Sequence, residues 1–193
     1  MGQSVLSTGF ARVDDVLYCE GVSMELIASE VGTPVYVYSA ETIRDRYRRL
    51  DRMLSPVPHR IHYTLKANSS RGVLAVLKEL GAGVDVVSGG ELQRALVAGF
   101  APSDIIFGGV GKTARELAEA LDAGILLINA ESEAEIRLID ALAGEREIRA
   151  PVSIRVNPEI TLDAPHDYIK TGGKGHKFGV PIDDVVHVAE IAA

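Results

Sequence analysis

A lysine that closes an apolar run is a candidate for amine chemistry when that run is a β-strand, because α/β proteins bind ligands outside the carboxyl ends of parallel strands. Lys66 has this placement. It follows the apolar stretch Ile61 to Leu65 and precedes Asn68-Ser69-Ser70, a set of turn and helix-cap residues. The other polar residues at comparable positions are Asp85 with Glu91 just beyond it, the Gly108 to Lys112 loop, Asn129, Arg155 with Asn157, and the loop Asp163 to Gly179. If the strands share one mouth, Lys66 has carboxylates to hold it and a second cation nearby, the setting in which a lysine bonds a carbonyl compound.

Each of these residues also has a plainer reading. Asp85 and Glu91 are a strand-end acid and a helix-start acid favoured by the helix dipole. Arg155 sits in an apolar strand, where an unpaired charge is costly, so it needs a carboxylate or phosphate partner. His166 and His176 lie in a Gly-rich loop, as solvated residues or as lid residues over the mouth. Lys174 and Lys177 either attract an anionic substrate or solubilise that loop. His59, His62 and His187 show no metal-ligand spacing and read as structural, so no metal is expected. Gly108-Gly109-Val110-Gly111-Lys112-Thr113 approaches a P-loop, but Ile106 stands where its first glycine belongs; a βα turn capped by Thr113 is the expectation.

The elements that must position these residues follow from periodicity. Phe10-Ala11-Arg12-Val13 and Val16-Leu17-Tyr18-Cys19 read as short strands, and Met24 to Val31 as a helix stopped by Gly32. Pro34 to Tyr38 alternates as a strand does, and Ser39 caps a helix with Ile43, Tyr47 and Leu50 on one face. From Arg60 the pattern is regular. Strand Arg60 to Leu65 leads to a helix from Ser69 or Ser70 that stops at Gly81, and Val84 to Val87 leads to a helix from Glu91 to Ala98. Ile105 to Phe107 precedes a capping box, Thr113 with Glu116; Ile125 to Ile128 precedes a second, Ser132 with Glu135. Val152 to Val156 is the fifth strand of this series, and Ile182 to Ile191 is helical. Alternating strand and helix imply an α/β fold, either a doubly wound sheet or a barrel. Short, nearly continuous apolar strands with no G-x-G-x-x-G after the first favour a partial (β/α)8 TIM-type barrel of about five units.

Composition bounds the partners. A net charge of -7 argues against nucleic acid and anionic membrane. Cys19 is the only cysteine, which excludes an internal disulfide and suits a reducing, cytoplasmic compartment. The N-terminus shows neither a signal-peptide pattern nor an apolar run long enough to span a bilayer, so a soluble chain is expected.

Several stretches together resemble one family. Tyr63-Thr64-Leu65-Lys66-Ala67-Asn68 is similar to the cofactor-lysine motif of the pyridoxal-phosphate (PLP) decarboxylases with an alanine-racemase-like barrel. Gly83 to Leu92, Ile128 to Ser132 and Ser153 to Pro158 also fit. Tyr168 to Gly179 and Gly32 to Tyr38 resemble the diaminopimelate decarboxylase branch. The resemblance implies that PLP is bonded to Lys66, with Asp85 beside that bond, Glu91 supporting it from the next turn, and Arg155 lining the cofactor pocket with Thr64. It implies decarboxylation of meso-diaminopimelate to L-lysine by a homodimeric full-length enzyme. Residues 1–34 would be a lead-in that packs with a C-terminal β-domain, and 35–193 the N-terminal part of the barrel. The family's stacking histidine, glycine-rich phosphate loop and Glu-Pro-Gly-Arg segment have no counterpart here, so little activity is expected of this chain alone. A related decarboxylase of ornithine, arginine or carboxynorspermidine, and a non-catalytic short barrel that pairs with another chain, are the alternatives.

Overall fold

The computed structural model describes residues 9–158 and 178–193. They fall into two compact units, Met1–Ile61 with Ser70–Ala82 and His62–Ser69 with Gly83–Ala193.

In the first unit, β1 (Phe10–Val13) and β2 (Val16–Cys19) pair antiparallel, with Phe10 opposite Cys19 and Val13 opposite Val16. The two-residue turn between them has φ of 45° at Asp14 and 62° at Asp15, the left-handed pair whose twist matches a hairpin. β3 (Val22–Ser23) adds to β2, and Ser23 caps α1 (Met24–Val31) by accepting from the Leu26 amide at 3.1 Å. Ser39 caps α2 (Ala40–Leu54) and donates its hydroxyl to Glu20 at 2.7 Å. That bond, with a second from the Glu41 amide, holds the Glu20 carboxyl below the usual range. α3 (Arg71–Glu79) buries Val73, Leu74 and Leu77 and contacts α2, where Arg44 reaches both Glu41 and Glu79.

One expectation fails here. Pro34 to Tyr38 is irregular, not a strand, and Tyr36 is 88% exposed. Its alternation is real, but a strand also needs a neighbour to bond its backbone, and no described strand pairs with it. α2 forms as expected with Ser39 as its cap, although none of its residues is buried and Leu50 is exposed.

The second unit is a parallel sheet in the order β4-β5-β6-β7-β8, followed by the pair β9-β10. Its strands are β4 (His62–Thr64), β5 (Gly83–Val86), β6 (Ile105–Phe107), β7 (Leu127–Ala130), β8 (Val152–Ile154), β9 (Val156–Asn157) and β10 (Val180–Pro181). Spatial order equals chain order with no reversal, the winding of a (β/α) barrel and not of a doubly wound sheet. The helices are α4 (Gly89–Val97), α5 (Ala114–Ala123), α6 (Glu133–Gly144) and α7 (Val185–Ala192). Val84, Val86, Ile105, Phe107 and Ile128 have no exposed surface; Leu92, Leu117 and Ile139 are buried with them. These strand residues share one face of the sheet, since Val84 pairs with Ile105, Val86 with Phe107 and Phe107 with Ile128, whereas Asp85, Ile106, Leu127 and Asn129 on the other face are half-buried.

β7 is displaced two residues from the expected Ile125 to Ile128. The Leu126 amide bonds the carbonyls of Pro102 and Ile105 before the ladder starts, and pairing with β8 carries the strand on through Asn129 and Ala130. Apolarity reports burial, whereas strand limits are set by pairing. The expected strand Val152 to Val156 is likewise divided at Arg155. Its amide donates to Ala130 at 2.9 Å and its carbonyl accepts from Val180 at 2.7 Å, so one residue bonds both neighbours. Among the described residues no helix is long and apolar enough to cross a membrane.

Candidate functional site

A cleft of about 430 Å³ opens at the carboxyl ends of the parallel strands, lined by Thr64, Lys66, Asp85, Val87, Gly108, Gly109, Asn129, Glu131, Arg155 and Phe178. A separate hollow in this unit is lined by Ala120, Leu121, Ile125, Ile128, Ile148 and Pro151 with Arg149 as its one charged side chain, and lacks this set of opposed charges. Lys66 stands in the turn after β4. The last backbone bond of that strand end runs from the Leu65 amide to Asp85 at 2.9 Å, and the Ala67 amide closes the turn on Thr64. Leu65 is buried at 1% exposure, which fixes the backbone beneath Lys66 while its side chain is exposed.

The neighbouring strands place the acids. Thr64 lies opposite Asp85 in the ladder, and its hydroxyl donates to Asp85 Oδ2 at 3.0 Å. A Cβ on Gly108 would meet Asp85 Oδ1 at 3.2 Å and Asn129 Nδ2 at 3.7 Å, so glycine keeps the space over this carboxylate open. Ser153 donates to Asn129 one strand further on, where the two residues are ladder partners.

Three successive βα turns use one local device, a Ser or Thr N-cap followed three residues later by Glu. The reciprocal bond takes two forms, to the residue before the cap for Glu91 and Glu135 and to the cap itself for Glu116. Glu91 accepts from the Val87 amide at 2.9 Å, and Val87 lines the cleft; Glu91 does not line it. Glu116 accepts from Thr113 in a full capping box, and also from the Gly89 amide of the preceding turn at 2.7 Å. Those amides, Gly89 first, hold the Glu116 carboxyl below the usual range. Glu135 accepts from the Glu131 amide at 2.9 Å, one residue before the expected cap partner.

Lys112, at the approximate P-loop, is committed elsewhere. Its side chain has no exposure, and its Nζ donates to the Gly109 carbonyl at 2.6 Å, the Asn129 carbonyl at 2.7 Å and Glu135 at 2.6 Å. All three of its protons are used, so none is left for a phosphate.

Arg155 has the carboxylate its strand position demanded. Its Nη1 donates to Glu131 Oε1 at 2.9 Å, and its guanidinium lies 4.7 Å from the centroid of the Phe178 ring. Glu131 is the cleft residue that the sequence reading did not single out, although it stands within the quoted motif Ile128 to Ser132. The available signal was the unmet need of Arg155, read across to the end of the adjacent strand. Thr64, Lys66, Asp85 and Arg155 therefore share one cleft, whereas Glu91 stands behind it. His166, His176 and Lys177, with Lys174, lie outside the described residues.

Known proteins with this sequence and fold are consistent in kind. The diaminopimelate decarboxylase of Pseudomonas aeruginosa is 45% identical over 184 residues, which are 95% of this chain and 44% of that protein. That of Vibrio cholerae is 42% identical over 93% of this chain and 43% of its own length. Among solved structures, diaminopimelate decarboxylase from M. jannaschii in complex with L-lysine superposes with a TM-score of 0.84 at 31% identity, covering 95% of this chain and 44% of that one. The Helicobacter pylori enzyme, also complexed with L-lysine, gives 0.80 at 40% identity, covering 85% and 41%. The chain thus spans less than half the length of the curated relatives it matches. The family profile described as "Pyridoxal-dependent decarboxylase, pyridoxal binding domain" matches residues 40–193, and the chain belongs to that family.

Proposed function

We propose that this chain carries the lysine-bearing part of the PLP site of a decarboxylase acting on meso-diaminopimelate and yielding L-lysine. The observation that carries the reading is the convergence of Lys66, Asp85 and Arg155 on one cleft, from the ends of three different strands. The donor set suits PLP. An exposed amine faces the cleft for the aldehyde, carboxylates balance the cations, and the missing Cβ of Gly108 leaves room above Asp85. When bound, PLP supplies an electron sink for the bond to the departing carboxylate.

The roles of the residues follow from their surroundings. Lys66 is the covalent anchor, and it holds or accepts a proton at Nζ when substrate amine takes its place. Asp85, oriented by the Thr64 hydroxyl, presents an anion to the cationic groups of the site. Arg155 presents a cation, and Glu91 acts through the Val87 backbone that it holds. Diaminopimelate is preferred over ornithine or arginine because the relatives of high identity are named for it. We place the protein in the cytoplasm as a homodimer when joined to the rest of a relative-length chain, with residues 1–34 packing against the β-domain such a chain would contain. The single cysteine, Cys19, which is buried and unpaired, is in keeping with a reducing compartment.

The test is to mix the 193-residue chain with PLP, reduce with borohydride and map the labelled peptide by mass spectrometry. The label is expected on Lys66 and absent from Lys66→Ala. Labelling of a different lysine, or equal labelling of the variant, would remove the proposal. Displacement of bound PLP by meso-diaminopimelate, ornithine and arginine then ranks the substrates, with diaminopimelate expected first.

A further inference from the structure

Glu131 has no role in the reading above, yet its side chain is only 6% exposed and both its oxygens are used. Oε1 accepts from Arg155 Nη1 at 2.9 Å, and Oε2 accepts from the Gly179 amide at 2.9 Å. We propose that Glu131 is the positioning residue of the site: its buried carboxylate sets the direction of the Arg155 guanidinium in the cleft and ties it to the backbone that enters β10. The proposal rests on the reading of this cleft as a PLP site.

Three features make the carboxylate an aligning group and not merely a neighbour. First, Glu131 is itself held. Its amide donates to Glu135 Oε2, and Glu135 Oε1 takes Lys112 Nζ, which also bonds the carbonyls of Gly109 and Asn129. The group that aims Arg155 is therefore fixed to the strand ends of β6 and β7. Second, the Phe178 ring covers the guanidinium 4.7 Å away, so the plane of the fork is limited as well as its direction. Third, the two partners differ in access. Glu131 is sealed, whereas the Arg155 side chain is 43% exposed, which leaves donors of the guanidinium available to an anionic group in the cleft. A fixed arginine loses less conformational freedom on binding than a free one, so alignment should appear as affinity.

The experiment is a double-mutant cycle on the full 193-residue chain, reading PLP affinity by fluorescence titration. The variants are Glu131→Gln, Glu131→Ala, Arg155→Ala and the pair Glu131→Ala with Arg155→Ala. Glu131→Ala should weaken PLP binding by about ten-fold in the presence of Arg155 and by less than about two-fold in its absence. Glu131→Gln, which retains an acceptor oxygen, should recover part of the loss. Amide hydrogen exchange at Gly179, measured without PLP, should speed up in Glu131→Ala and less in Glu131→Gln, a readout independent of cofactor and of folding yield. Equal losses in both backgrounds, or unchanged exchange at Gly179, would overturn the positioning role while leaving the PLP site intact. If the unsubstituted chain binds no PLP, the cofactor reading and its positioning residue both fall.

Discussion

Two ion pairs at adjacent strand ends have the same chemistry and opposite accessibility. Lys112 with Glu135 is sealed, at 0% and 10% side-chain exposure, and every proton of the ammonium meets a protein oxygen. Arg155 with Glu131 is sealed on one side only, at 43% and 6%. A fully enclosed pair has no capacity left for a ligand, so its effect is spent on holding the Gly109 loop against β7. A half-enclosed pair retains donors that face the cleft. The contrast separates a frame from a working group although the two lie at neighbouring strand-to-helix connections, and it explains why motif spacing around Lys112 misleads while an isolated arginine at a strand end is informative.

Breaking the enclosed pair should have the largest effect. Lys112→Met leaves Glu135 and two carbonyls without their cation, at a cost of about 3–5 kcal/mol in urea unfolding. An unfolding midpoint equal to that of the parent chain would remove the distinction between the two pairs. Arg155→Met should cost about 1–2 kcal/mol, because the arginine is half in water and Glu131 keeps the Gly179 amide. Its main effect should instead be on PLP affinity; a variant that unfolds like Lys112→Met but binds PLP normally would invert the comparison.

The smallest effect should be at Glu116, a carboxylate in the first turn of α5 whose partners are the Gly89 and Thr113 amides and the Thr113 hydroxyl. Its pKa in the folded chain lies below the unfolded value, so the native state binds fewer protons in acid than the unfolded chain does. The stability it contributes is complete above the unfolded carboxyl range, about pH 4–5, and is lost as pH falls through the depressed folded value. Glu116→Gln should cost about 1 kcal/mol at neutral pH and flatten the acid limb of the stability curve. An unchanged acid limb would show that the two amides do not discriminate between the charged and neutral forms.

What was legible in the sequence was local. Ser39, Thr113 and Ser132 cap the helices that follow them because a cap is written within four residues. Lys66 was legible because its apolar run, its turn residues and its motif lie together. The Glu131 to Arg155 pair was not, since its members come from different strands and only the register of β7 on β8 brings them together. The Pro34 to Tyr38 strand was misread for the converse reason, as alternation is a property of one segment and pairing of two.

Gly179 has a φ of +75°, and a Cβ there would meet the Arg155 carbonyl at 2.8 Å and the Asn157 amide at 3.0 Å. In mutational terms this position has no conservative neighbour. Alanine, the least change available, already faces both an unfavourable backbone angle and main-chain atoms that cannot rotate aside. A library randomised at this codon and selected for β10 docked on β9 should return glycine alone, so the seat of the Glu131 carboxylate is protected by the one residue that contributes no side chain.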